Sequence, residues 1–207
     1  MEILNELRQA TGAIHGRIEE LPICREMLAG TVDRAAYARL LGDLFHLHRA
    51  YETALAACPP VAALWPQTPS RAAALARDLA AFGVAPRPTP GRVVEWQADI
   101  EALEHPAAWA GVGYVVEGSR LGSRVLVRSL ATGFGLKPAL GVGLDYHLDA
   151  GDDPSGNWRR VLGALAALDR DPPSRRAILT AAVATFEALY ELHEAAAEVP
   201  TVSLAAD

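Results

Sequence analysis

The sequence predicts an all-α fold, and three observations lead there. Apolar residues recur at steps of three and four in segment after segment, the period of a helix with one buried face. Capping residues precede these segments and Gly or Pro follows them. No stretch alternates β-branched residues between turn signals, as a strand would. The chain has 207 residues, 51% apolar and 21% charged, enough to bury one sizeable core. A single domain of about seven helices follows, with residues 200–207 expected as a disordered tail.

The first helix is expected over residues 3–20, where Leu4, Leu7, Thr11, Ile14, His15 and Ile18 share one stripe. Asp33 caps a second that runs to about Cys58, and Pro59 and Pro60 stop it. Ser70 opens a third over 70–82, ended by Gly83. Residues 92–104 make a fourth ahead of Pro106, and the fifth covers roughly 107–134, closed by the GFG at 133–135. Beyond the loop DAGDDPSG, a sixth extends from about Asn157 to Leu168. Pro172, Pro173 and Ser174 start a seventh that reaches about Glu198.

Composition removes several function classes. The net charge is −6, and 18 of the 19 basic residues are Arg, Lys137 being the exception. No basic cluster is dense enough for nucleic acid. No apolar run approaches the roughly 20 residues of a membrane span. The start, MEILNELRQA, is polar and mixed in charge, unlike a signal peptide, so a cytoplasmic protein is expected. Cys24 and Cys58 have neither the number nor the spacing for zinc or a disulfide framework and read as buried or idle thiols.

Two features carry possible chemistry. Gly118 and Gly122 lie inside the fifth helix, one turn apart on one face, each about 1 kcal/mol less favourable there than Ala. The absent Cβ atoms let another body approach the backbone, either a neighbouring helix or a flat ligand. On spacing alone the neighbouring helix is the commoner case. His15 shares the apolar stripe of the first helix and points toward the core, where a hydrogen-bonded His is commoner than a metal ligand. Glu19, one turn on, can however reach its second ring nitrogen, the partner that orients a ligating His. His46 and His48 diverge by about 200° around their helix and cannot form a metal pair. These two, with His105, His147 and His193, read as structural or solvated. No HExxH, ExxH pair or GxSxG elbow is present, and GSRLGS follows a helix, so it is not a phosphate loop.

Together these residues resemble the haem oxygenase family. LRQATGAIHGRIEE (7–20) is similar to its proximal-helix pattern, and GYVVEGSRLGSRVL (113–126) to its distal-helix signature, most closely the bacterial form. Weaker matches follow in family order: DRAAYARLLGDLFHLHRAYE, RDLAAFG, NWRRVLGAL and AAVATFEALYELHE. The resemblance implies a haem sandwiched between proximal and distal helices, His15 as axial iron ligand and Glu19 holding it. It implies Gly118, Ser119 and Gly122 as the distal, catalytic wall. Arg8, Thr11, Tyr114 and Phe186 would border the haem, Arg8 and Tyr114 near its propionates. The implied activity is O₂-dependent self-hydroxylation and ring opening of haem to biliverdin, CO and Fe²⁺. With no flavin or nicotinamide fingerprint, electrons must come from a ferredoxin or a reductase. A phytochrome-type photoreceptor or a biliverdin reductase is the kind of partner that would accept the product. A non-enzymatic haem carrier or sensor on the same fold is the alternative, and a haem-free helical relative the third.

Two departures from the family pattern stand out. Ser119 occupies the place where animal-type enzymes carry an Asp that organises distal water. A second propionate-binding Arg of those enzymes aligns near Gly163, with Arg159 and Arg160 close by in sequence.

Overall fold

The computed structural model describes residues 2–65, 68–102, 105–148 and 153–197, so the expected tail at 200–207 lies outside the described residues. The helices are α1 (Glu2–Glu20), α2 (Pro22–Ala29), α3 (Arg34–Ala56), α4 (Pro59–Ala62), α5 (Arg71–Ala81), α6 (Gly91–Glu101), α7 (Ala108–Ser123), α8 (Leu126–Gly133), α9 (Asp145–Leu148), α10 (Pro154–Leu168) and α11 (Pro172–Ala197). No strand occurs among the described residues. The seven expected helices are the seven longest. The other four helical segments were not anticipated, being short or split from a longer expectation.

Local chemistry explains the boundaries. Asp33 Oδ2 accepts from the Ala36 N–H at 2.9 Å and Ser70 Oγ from the Ala73 N–H at 3.0 Å, as their positions predicted. Asp153 caps α10 through the Gly156 N–H at 2.9 Å and starts it three residues before the expected Asn157. The expected helix over 107–134 is two helices, since Arg124 and Val125 interrupt the regular ladder between α7 and α8. Glu52 of α3 reaches the first turn of α5, accepting from the N–H groups of Arg71 (2.8 Å) and Ala72 (3.1 Å) and from the Ser70 hydroxyl (2.6 Å). One carboxylate thus joins two helices and satisfies donors that every helix start leaves open.

The architecture rests on α11. Both α1 and α7 pack along it, α10 packs on α7, and α3 pairs with α5 and also touches α11. One core gathers Ile3, Leu7, Trp96, Val112, Val161 and Ile178, and a second gathers Tyr37, Leu41, Leu75, Leu79, Leu130 and Leu144. At Gly111 the α7 backbone lies so close to α11 that a Cβ would collide with the Ile178 carbonyl. Gly30 ends α2 in the left-handed region (φ 72°) and sits with its Cα hydrogens against the Ser129 carbonyl of α8. These close approaches use glycine for packing. α1 and α7 share a support but make little contact with each other, and a space opens between them.

α9 is four residues long and depends on one buried side chain. The Asp78 carboxylate of α5 accepts the N–H groups of Asp145 (2.7 Å) and Tyr146 (2.8 Å), one on each oxygen. Asp145 in turn accepts from Arg77 Nε at 2.7 Å and from the Gly141 N–H at 2.6 Å. This network turns Tyr146 and His147 toward the space beside α7.

Candidate functional site

The space between α1 and α7 is a cavity of about 830 Å³, within the range of small-molecule and cofactor sites. α1 contributes Arg8, His15, Ile18 and Glu19, and α7 contributes Tyr114, Val115, Gly118, Ser119 and Gly122. Phe186 and Leu189 of α11 and Leu40, Leu44 and Leu47 of α3 make much of the remaining surface apolar. Eight of the nine residues singled out in the sequence therefore meet at one cavity. Thr11 does not line it. Its hydroxyl donates to the Leu7 carbonyl at 2.7 Å and stands beside Tyr114, behind the wall.

His15 lies on the core-facing stripe, yet its side chain is 55% exposed, because what faces it is cavity and not protein. Its Nδ1 is 3.6 Å from Glu19 Oε1, and its ring meets Phe186 edge to face at 5.6 Å. These contacts fix the ring plane, and none of the described residues bonds Nε2.

Opposite stands the glycine face. A Cβ built on Gly122 would meet nothing within 4 Å, and one on Gly118 would meet only the Trp158 ring at 3.5 Å, ordinary contact. Among the described residues no helix backbone approaches either position, in contrast to Gly111. The neighbouring-helix explanation therefore applies to Gly111 and not to this pair. Ser119 Oγ donates back to the Val116 carbonyl at 2.8 Å, so toward the cavity it offers acceptor lone pairs and no proton.

The cavity has two chemically different ends. At one, Tyr114 of α7 tilts against Trp158 at 5.6 Å and lies close to Arg8. Burial raises the Tyr114 phenol, so it stays protonated, and Arg8 and Thr11 partly offset that rise. Arg25 also lines the cavity but is paired with Glu20, which leaves Arg8 as the lining cation without a carboxylate partner among the described residues. Arg159 and Arg160 are exposed and do not line the cavity, and Arg160 donates to Asn157 at 2.8 Å. The other end lies toward α8 and α9. There His48 shares a hydrogen bond with the Tyr146 hydroxyl at 3.2 Å, and burial, then Arg71 and Arg120, depress its basicity. Burial, then Glu19, pushes the Cys24 thiol up to about 11, so this lining cysteine is not a thiolate.

Sequence reasoning missed Trp158, which flanks Gly118, and the ring cluster of Tyr37, Tyr146 and His147. Nothing in their spacing marks them, because α9 brings two of them in from a segment without periodicity. His46 fits its structural reading, with Nε2 against the Arg87 carbonyl at 2.7 Å and Nδ1 against Thr89 at 3.1 Å. His147 also fits the structural reading. It is 4% exposed, and the Ser123 backbone is its ring's polar partner.

A family profile described as Heme oxygenase matches residues 1–195, nearly the whole chain. The chain belongs to the haem oxygenase family. It is an enzyme family, and a relative named Heme oxygenase from Xanthomonas campestris pv. campestris is 31% identical over 159 residues, covering 76% of this chain and 88% of that protein. Solved structures agree on the fold. A heme oxygenase from Leptospira interrogans superposes with TM-score 0.81 at 20% identity, over 94% of this chain and all of that one (100%). Heme oxygenase-2 from Synechocystis sp. PCC 6803, solved with heme and NO, gives 0.79 at 22% identity, over 95% of this chain and 85% of that one. No helix among the described residues of this haem oxygenase is long and apolar enough to cross a membrane.

Proposed function

We propose that this haem oxygenase binds haem in the slot between α1 and α7, acting as one domain in the cytoplasm. It would convert haem to biliverdin, CO and Fe²⁺ with O₂ and electrons from a ferredoxin or reductase. The observation that carries the reading is the pairing of His15, with an unengaged Nε2 on one wall, and an open glycine face on the other. A flat, largely apolar group with carboxylates at one edge suits an apolar slot with a lone unpaired cation at one end.

When bound, haem supplies both the iron that activates O₂ and the carbon skeleton that is oxidised. The chain's own residues would do the rest. His15 Nε2 would hold the iron, with Glu19 and Phe186 orienting the imidazole. Arg8 and Tyr114 lie at the end suited to the propionates, and this sets which way round the substrate enters. Gly118 and Gly122 would let backbone lie against the ring face and present no side-chain acid. The Ser119 proton is engaged with Val116, so its oxygen would accept a hydrogen bond from water, and protons would arrive through that water.

The test is haemin titration of the purified protein followed by reduction with ascorbate or with ferredoxin and its reductase. The expected result is a His-ligated Soret band, lost in His15→Ala, and biliverdin on chromatography. Tight haemin binding without turnover would make the protein a carrier or sensor. A spectrum unchanged by His15→Ala would remove the axial-ligand assignment.

A further inference from the structure

The mouth of the cavity has an apolar and cationic rim on its α7–α8 side. Arg124 and Val125, between the two helices, keep helical backbone angles (φ −63°, ψ −27° and φ −65°, ψ −24°), so helical spacing carries across the junction. Leu121, Arg124, Val125 and Arg128 therefore fall at steps of three and four on one stripe. All four are exposed, Leu121 at 39% and Val125 at 65%. Leu28 of α2, which packs on α8, is 60% exposed and borders the same cavity. An amphipathic helix normally turns its apolar stripe inward, and this one faces out.

Charge and position narrow the partner. Arg124 and Arg128 have no carboxylate partner among the described residues, although the chain carries a net charge of −6. Glu19 and Glu20 stand on the α1 side of the mouth, so the cations are confined to the opposite rim and orient a charged partner. Leu28, Leu121 and Val125 line the cavity as well as facing solvent. A body seated on them covers the mouth and lies one side chain away from what the cavity holds. The function proposed above takes its electrons from outside the chain. An iron–sulfur cluster held by four thiolates is itself anionic, so its carrier presents negative charge where electrons leave. A face this small suits the brief encounters of electron carriers, which lie at the low end of interface sizes.

We infer that the stripe of Leu121, Arg124, Val125 and Arg128, with Leu28, is the docking face for an acidic iron–sulfur protein that reduces the bound haem. The inference rests on the haem oxygenase reading above. One electron passes from the reduced cluster to the ferric iron, which becomes ferrous. The cluster is oxidised, and no bond is made or broken. The aliphatic side chains exclude water from the contact, and the two arginines orient the carrier and speed its arrival.

The experiment measures the affinity of the full chain, without haem, for an oxidised plant-type ferredoxin at low salt. Arg124→Glu/Arg128→Glu should weaken binding about tenfold, because two attractive charges become repulsive. The difference should shrink near 1 M salt, where the Debye length is about 3 Å. Arg170→Glu/Arg176→Glu makes the same change of net charge on exposed residues around the start of α11 and should leave affinity unchanged. Equal loss in both pairs would reduce the effect to net charge and overturn the proposal. Unchanged affinity in the stripe variant, or no measurable affinity in the wild type, would overturn it as well. Wild type that binds phosphatidylglycerol vesicles through the stripe, and not ferredoxin, would assign the face to lipid and overturn it. In the haem complex under CO, reduction by ferredoxin should slow about tenfold in the stripe variant, while dithionite, which needs no docking, reduces both chains alike. Slowing with both reductants would also count against the face. Stripe-dependent ferredoxin binding by a chain that takes up no haemin would sink the haem oxygenase reading alone. Turnover with ascorbate beside stripe-independent ferredoxin binding would sink the docking face alone.

Discussion

Replacing Gly122 by Ala should separate stability from ligand binding in one experiment. A Cβ at Gly122 has no atom within 4 Å to collide with, and at Gly118 the Trp158 ring is 3.5 Å away, a normal contact. In the protein without haem, Gly122→Ala therefore gains helix propensity and loses nothing, a stabilisation of about 1 kcal/mol. For a chain of this size that raises Tm by about 2–4 °C. With a flat ligand against this face, the same methyl group occupies ligand volume. Overpacking of that kind costs about 1–3 kcal/mol, which converts to a haemin Kd weakened by about five- to 150-fold. Gly118→Ala should behave alike with a smaller gain in Tm, because Trp158 restricts relaxation. Thermal melting of the haem-free variants and a haemin titration by absorbance measure both quantities. A higher Tm with unchanged haemin affinity and turnover would refute the idea that ligand lies against the glycine face.

Other substitutions probe the surrounding structure. Gly111→Ala should destabilise the chain by about 1–3 kcal/mol, since its Cβ meets the Ile178 carbonyl, and differential scanning calorimetry reads the loss. Arg8→Gln should weaken haemin binding only a few-fold, because the residue is exposed, and added salt should shrink the difference between wild type and variant. Burial, against the opposing pull of the Tyr146 and Asp145 N–H groups, raises the Asp78 carboxyl to about 6. The folded state then holds a proton that the unfolded chain has released above its carboxyl pKa of about 4. Stability should therefore fall as pH rises from about 4 to about 6, by about 3 kcal/mol from this group, and level off above. Urea midpoints across that range should show the descent in wild type and lose it in Asp78→Asn, and a parallel descent in both would assign it to other groups.

The long helices were legible because each has a local cause. Asp33 and Ser70 show their capping role by position alone, and Pro59 and Gly83 show the stops. The split after Ser123 was not legible, since Arg124, Val125 and Leu126 are all compatible with continuing a helix and only tertiary packing interrupts them. α9 was invisible for a related reason. Its four residues are too few to show a period, and the carboxylate that supports it belongs to Asp78, 67 positions earlier than Asp145. At the site, His15 and Glu19 could be read together because helix spacing alone brings them together. The glycine pair could be noticed but not interpreted, because one sequence pattern serves both Gly111, which is packed, and Gly122, which is open. Tyr37 and His147 belong to separate segments, and no local pattern could join them.

α7 is held in two different ways along its length. Around Gly111 its backbone is locked to α11, and further on the buried Arg120 ties it through the Thr68 hydroxyl (3.1 Å) and the Pro69 carbonyl (2.9 Å) to the segment ahead of α5. The exposure of Leu121 and Gly122 therefore belongs to one face of a helix that is braced at both ends. A ring set against that face would meet a wall that keeps its position while the ring itself changes shape.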